Sequence, residues 1–132
     1  MDLPMDDIVA LLRLHFPEAQ GIYLYGSMAG NAATPASDID LAVLSGREIL
    51  PIKRFEVAQE IAAKSKREVD LVDLRHAPTV LQFQVVSTGR RLDAADASVC
   101  ESFEDFVYKT YAKLNEERAG ILKDIQTRGQ IF

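Results

Sequence analysis

The chain has 132 residues, 48% of them apolar and 27% charged, with a formal net charge of -5; this suits one soluble globular domain with a real core. An acidic chain repels a phosphate backbone at long range, so direct nucleic-acid binding is not expected. No apolar run approaches the roughly 18 to 20 residues that cross a bilayer. The acidic start Met1-Asp2-Leu3-Pro4-Met5-Asp6-Asp7 is unlike a secretory signal, and Cys100 has no second cysteine to pair with, so a cytoplasmic protein without a membrane partner is expected.

Asp6 to Phe16 is predicted as a helix: Ile8, Leu11, Leu12 and Phe16 recur at helical spacing, and Pro17 stops it. Ile22-Tyr23-Leu24-Tyr25 is rich in β-formers and ends at Gly26, which predicts a short buried strand. Ser27 to about Ala33 is expected to form a turn or short helix, and Asn31 to Ser37 a loop. Ile39 to Leu44 is the second predicted strand. Pro51 to Lys66 follows as a helix, with Ile52, Phe55, Val57, Ala58, Ile61 and Ala62 as its expected apolar face. Glu68 to Leu74 reads as a third strand, Pro78 to Ser87 as a short helix, and Arg91-Leu92 as a brief edge strand. From Val99 to Thr127 the pattern predicts one long helix or two, with Gly120 as the weak point. This order implies an α/β (α+β) fold, a small mixed sheet flanked by helices.

Chemistry concentrates on three acidic residues. Asp38 and Asp40 are two apart on the second strand, so both carboxylates point to one face. Neighbouring carboxylates repel unless a cation or proton compensates, and magnesium is the natural oxygen-seeking cation. Asp70 lies in Glu-Val-Asp-Leu-Val, expected mid-strand and buried, where it can supply a third carboxylate or deprotonate an incoming hydroxyl. Asp73 has the opposite parity and is a weaker candidate. Gly26 permits a tight turn with close approach to a ligand, and Ser27 adds a hydroxyl donor for phosphate. Taken singly, each feature has an ordinary explanation: a turn, a capping pair, or an aspartate satisfied by a Lys or Arg. Their order and spacing argue for a site.

Gly26-Ser27, ten intervening residues, then Asp38-Ile39-Asp40 resembles the Gly-Ser-x10-Asp-x-Asp signature of the DNA polymerase β-like nucleotidyltransferases. The short chain is similar to the minimal (MNT) members, and more narrowly to the MntA-type antitoxins paired with HEPN-domain toxins. That resemblance implies residues 1–132 as one minimal nucleotidyltransferase domain, with a helical tail over about 98–128. It implies ATP as substrate and magnesium, two ions, as cofactor. It also implies AMP transfer to a tyrosine hydroxyl of a partner HEPN ribonuclease toxin, which neutralises the toxin. Carried over by position, Asp38, Asp40 and Asp70 are the expected metal ligands and catalytic carboxylates, and Gly26 and Ser27 the expected triphosphate contacts. Many relatives carry arginines just after the Gly-Ser pair. Here no basic residue stands between Ser27 and Ala42, so Arg47, Lys53 or Arg54 is expected to supply the positive charge.

Two other functions fit the same residues. One is nucleotidyl transfer to a small-molecule hydroxyl, aminoglycoside-like, which usually needs a larger substrate-holding domain. The other is a non-enzymatic module that masks a toxin by contact. His15 and His76 lack the spacing of a zinc site, Cys100 is expected to pack as a small apolar residue, and the aromatic stripe from Phe103 to Tyr111 is expected in the core.

Overall fold

The computed structural model describes residues 3–30, 33–34 and 37–129. Helix α1, Met5–His15, has Asp6 and Asp7 in its first turn and Arg13 and His15 in its last, charges that complement the helix dipole. Strand β1, Ala19–Tyr25, ends at a single 3-10 turn, Gly26–Ala29. Part of the loop expected over 31–37 lies outside the described residues. Strand β2 is Ile39–Ser45, helix α2 Pro51–Ser65, and strand β3 Val69–Asp73. Helix α3, Thr79–Thr88, strand β4, Arg90–Ala94, and helix α4, Ala97–Gly129, complete the chain.

The four strands lie in the order β3-β2-β1-β4. β1 pairs antiparallel with β2 and β4, whereas β2 and β3 run parallel, joined by α2 as the crossover. Strand alternation sends Ile22, Leu24, Leu41, Val43 and Leu71 to one face, against Ile8 and Leu12 of α1 and Val57 and Ile61 of α2. Tyr23, Tyr25, Ala42, Leu44 and Val72 go to the other, against Val85 of α3 and Cys100, Phe103 and Val107 of α4. The central strands are therefore buried on both faces, which explains their nearly continuous apolar runs.

Three expectations change. On α2, Val57, Ala58 and Ile61 are buried, but Ile52 and Phe55 are 68% and 64% exposed; the apolar face is narrower than its sequence suggests. Along α4, Phe103 and Val107 enter the core, while Phe106 and Tyr108 are 60% and 45% exposed, because only positions four apart look down on the sheet. Gly120 does not interrupt α4, which is a single helix. From Asn115 to Arg128 every residue of α4 is exposed.

Candidate active site

The site forms where β1, β2 and β3 end on the same side. Pairing places Tyr25 opposite Asp40 and Asp40 opposite Asp70. Three side chains from three strands thus form one row across the sheet, on the face that packs against α3 and α4. Asp38 stands just before β2 at the row's edge. Neighbouring strands are about 4.8 Å apart, so the carboxylates of Asp40 and Asp70 are near neighbours. Asp40 is half-buried, whereas Asp38 and Asp70 are exposed. The exposure of Asp70 corrects the expectation of a buried, mid-strand residue: it is the second residue of an edge strand, and burial begins only at Leu71.

The electrostatics of the row are unfavourable in the bare protein. Burial, then the charges of Asp70 and Asp38, push the Asp40 carboxyl above its ordinary range. Among the described residues no Lys or Arg forms an ion pair with any of the three. The hydrogen-bond partner of Asp70 is instead an uncharged tyrosine: the Tyr25 hydroxyl donates to Asp70 Oδ2 at 3.2 Å. Burial and the fields of Asp70 and Asp40 raise the Tyr25 pKa strongly, so the phenol stays protonated and acts only as a donor. Among the described residues, no three acidic, histidine or cysteine side chains are arranged so that they could together hold a metal ion. The row is an open, negatively charged edge.

Gly26 is tied to that row in two ways. Its φ of +71° lies in the left-handed region. In addition, a Cβ at this position would collide with Asp40 Oδ2. The close approach inferred from sequence is therefore made first by Asp40, whose carboxylate lies against the Gly26 backbone. Ser27 follows half-buried in the 3-10 turn, which is too short to supply the dipole of a true helix.

Of the three basic residues expected to supply positive charge, only Arg54 shares a cleft with a residue of the row. Arg47 and Lys53 line a cavity of about 360 Å3 with Phe16 and Ser45. Ser45 is at the far end of β2, about 16 Å from Asp40 at the rise of an extended strand. Arg54 lies closer, in a cleft that Asp70 also lines. Arg67, which the motif did not single out, donates to the carbonyls of Thr34 and Ser37 at 3.0 and 2.9 Å and reaches Met28 Sδ at 3.8 Å. It ties the approach to Asp38 to the turn that holds Ser27. Arg90 pairs with Leu24, at the same end of the sheet. Tyr25, Arg67 and Arg90 carry no sequence signal of their own, since strand pairing and loop closure bring them here.

Known proteins share this sequence pattern and this fold. The sequence pattern of the family described as "Polymerase beta, Nucleotidyltransferase" matches residues 6–97. The chain belongs to that nucleotidyltransferase family. It is 41% identical over 121 residues to the protein adenylyltransferase MntA of Shewanella oneidensis, an alignment covering 89% of this chain and 84% of MntA. Its fold matches a crystal structure of a toxin-antitoxin with AMP-PNP at a TM-score of 0.84 and 40% identity, covering 94% of this chain and 99% of the other. It also matches the structure of a tri-AMPylated Shewanella oneidensis HEPN toxin in complex with its MNT antitoxin, at a TM-score of 0.76 and 39% identity, covering 92% of this chain and 94% of that one. Among the described residues, no helix is long and apolar enough to cross a membrane.

Proposed function

We propose that this nucleotidyltransferase transfers AMP from ATP to a tyrosine hydroxyl of a cognate HEPN-domain ribonuclease toxin, in the cytoplasm, and so neutralises it. The observation that carries the reading is the row of Asp38, Asp40 and Asp70 beside Gly26, with no basic residue among the described ones neutralising it. Such a row suits magnesium, which takes hard oxygen ligands and usually completes its shell with water and phosphate. Magnesium held there would stabilise the charge developing on the attacking and leaving oxygens.

The chain's own residues supply the rest. The Gly26 and Ser27 backbone and the Ser27 hydroxyl hold the outer phosphates. Asp70, oriented by the Tyr25 hydroxyl, faces the incoming acceptor and accepts its proton. The acceptor oxygen forms a bond to the α-phosphorus, and the bond to the departing pyrophosphate breaks. The buried free thiol of Cys100 is compatible with a reducing compartment.

The test combines the protein, ATP labelled at the α-phosphate, magnesium and the cognate toxin. Label is expected on the toxin, and Asp40→Asn is expected to slow labelling by at least about 100-fold, since even outer partners of metal ligands are worth 10- to 100-fold. Full labelling by Asp40→Asn would overturn the enzymatic reading. Toxin silencing without labelling, in both wild type and variant, would establish masking by contact instead.

A further inference from the structure

At the end of the sheet remote from Asp40, a guanidinium stands without a counter-charge. Arg75 lies just after β3 and is half-buried. Its Nε donates to the Ser45 carbonyl and its Nη2 to Gln20 Oε1, each at 2.9 Å. The guanidinium carbon lies 5.5 Å from the centre of the Phe103 ring. Among the described residues Nη1 makes no hydrogen bond, and no carboxylate pairs with Arg75. Neutral oxygens fix the fork in place but leave its charge uncompensated. A partly buried charge without a partner is costly, and this one persists in a chain whose net charge is -5.

Arg75 borders a hollow of about 370 Å3, lined also by Ser98, Val99, Ser102, Phe103 and Phe106. Ser98 and Ser102 are four apart on α4, so they share one face of the helix. On α3, Ser87 and Thr88 donate their hydroxyls to carbonyls four residues back. The hydroxyls of Ser98 and Ser102 make no hydrogen bond among the described residues. Phe106, 60% exposed, adds an apolar wall. Asp96 accepts from the Val99 amide, and neither it nor Glu101 lines the hollow. The end of α4 is therefore already capped, and the hollow's donors are side chains.

We propose that this hollow binds a small phosphate monoester with an aromatic body, its phosphate on Arg75, Ser98 and Ser102 and its ring against Phe106. The inference goes beyond the proposed transfer and does not depend on it. Ser45, which anchors Arg75, is about 16 Å along β2 from Asp40 at the rise of an extended strand. Three features select the ligand. A guanidinium with two separate hydroxyls suits the three oxygens of a phosphate better than a planar carboxylate, which the fork alone would satisfy. The volume falls within the roughly 300 to 1,000 Å3 of small-molecule pockets and exceeds the need of a bare ion. Phe106 offers the aromatic surface on which a ring packs.

The experiment titrates the full chain, by calorimetry, with phenyl phosphate as probe and with benzoate and inorganic phosphate beside it. Phenyl phosphate is expected to bind with a Kd of about 1 mM or tighter, and the other two at least about tenfold more weakly. Ser98→Asp puts a carboxylate in the hollow and is expected to weaken phenyl phosphate at least about tenfold. The same change is expected to leave melting no lower, because a carboxylate suits the first turn of a helix. Arg75→Gln is expected to weaken binding likewise, and Asp40→Asn to leave Kd within about twofold. No binding of phenyl phosphate, or binding that Ser98→Asp leaves unchanged, overturns the site. Binding lost in Asp40→Asn assigns the phosphate to the carboxylate row and overturns it equally. Benzoate or inorganic phosphate binding as tightly as phenyl phosphate overturns the ligand class.

Discussion

The two ends of the sheet use carboxylates in opposite ways. At the far end Asp73 is buried on the α1–α2 side, and its Oδ2 accepts from the Ile49 amide and from His76 Nδ1, each at 2.9 Å. Its Oδ1 is buried without a protein partner among the described residues. Three residues earlier on the same strand, Asp70 is exposed beside two more carboxylates, with a tyrosine hydroxyl as its donor. Asp73 ties the chain entering α2 to the end of β3, a structural duty. The Asp38-Asp40-Asp70 row costs the bare fold stability and repays it only when a cation or substrate arrives. An unneutralised cluster at a sheet edge marks the functional end more clearly than burial or cavity size does.

The contrast can be broken from either end. The largest effect is expected for Gly26→Ala, which meets both the left-handed backbone and the Asp40 carboxylate. The backbone strain alone costs roughly 1 to 2 kcal/mol. Displacement of Asp40 is expected to cut transfer at least about 100-fold, as loss of a ligand's orientation does; labelling kinetics on folded variant check this. Asp73→Ala should do the reverse. It leaves the Ile49 amide without its acceptor, an expected loss of about 1 to 3 kcal/mol in denaturant unfolding, with labelling per folded molecule unchanged. A fall in specific activity as large as that of Gly26→Ala would erase the distinction between the two ends.

The smallest effect concerns pH. Asp40 has a folded-state pKa above its unfolded value, so the folded protein holds that proton more tightly. The stabilisation is fully present below the unfolded pKa, about 3.9, and is lost as pH rises through the raised folded value. Without magnesium, Asp40→Asn should therefore melt higher than wild type at neutral pH, by less than about 1 kcal/mol, with the gap closing in acid. Added magnesium should reverse the order at neutral pH. Equal melting of the two proteins across the range would show that the row carries no mutual repulsion.

Much of this was legible in the chain. Ile8, Leu12 and Phe16 announce α1 because a helix must bury one stripe, and the apolar runs of β1 and β2 announce strands because both their faces are covered. The parity of Asp38, Asp40 and Asp70 also separates Asp70 from Asp73. Other residues were illegible for stated reasons. Tyr25 looked like an ordinary strand residue because its partner is 45 positions away. Phe55 looked like core because helical periodicity does not report how wide a neighbouring surface is. Asp70 looked buried because the sequence does not say that β3 is an edge strand and that its first residues lie beyond the helices.

By itself, then, the sequence determined what is local or periodic: the helices, the strands, the face each strand residue takes, and the glycine-to-aspartate spacing. Backbone geometry settles these within a few residues of each position. Only the tertiary structure decided the register that sets Tyr25, Asp40 and Asp70 in one row, the contact that makes Gly26 obligatory beside Asp40, and the open β3 edge beside Phe55. Those depend on contacts between distant segments, which are chosen by the packing of the whole core and not by any one stretch of chain.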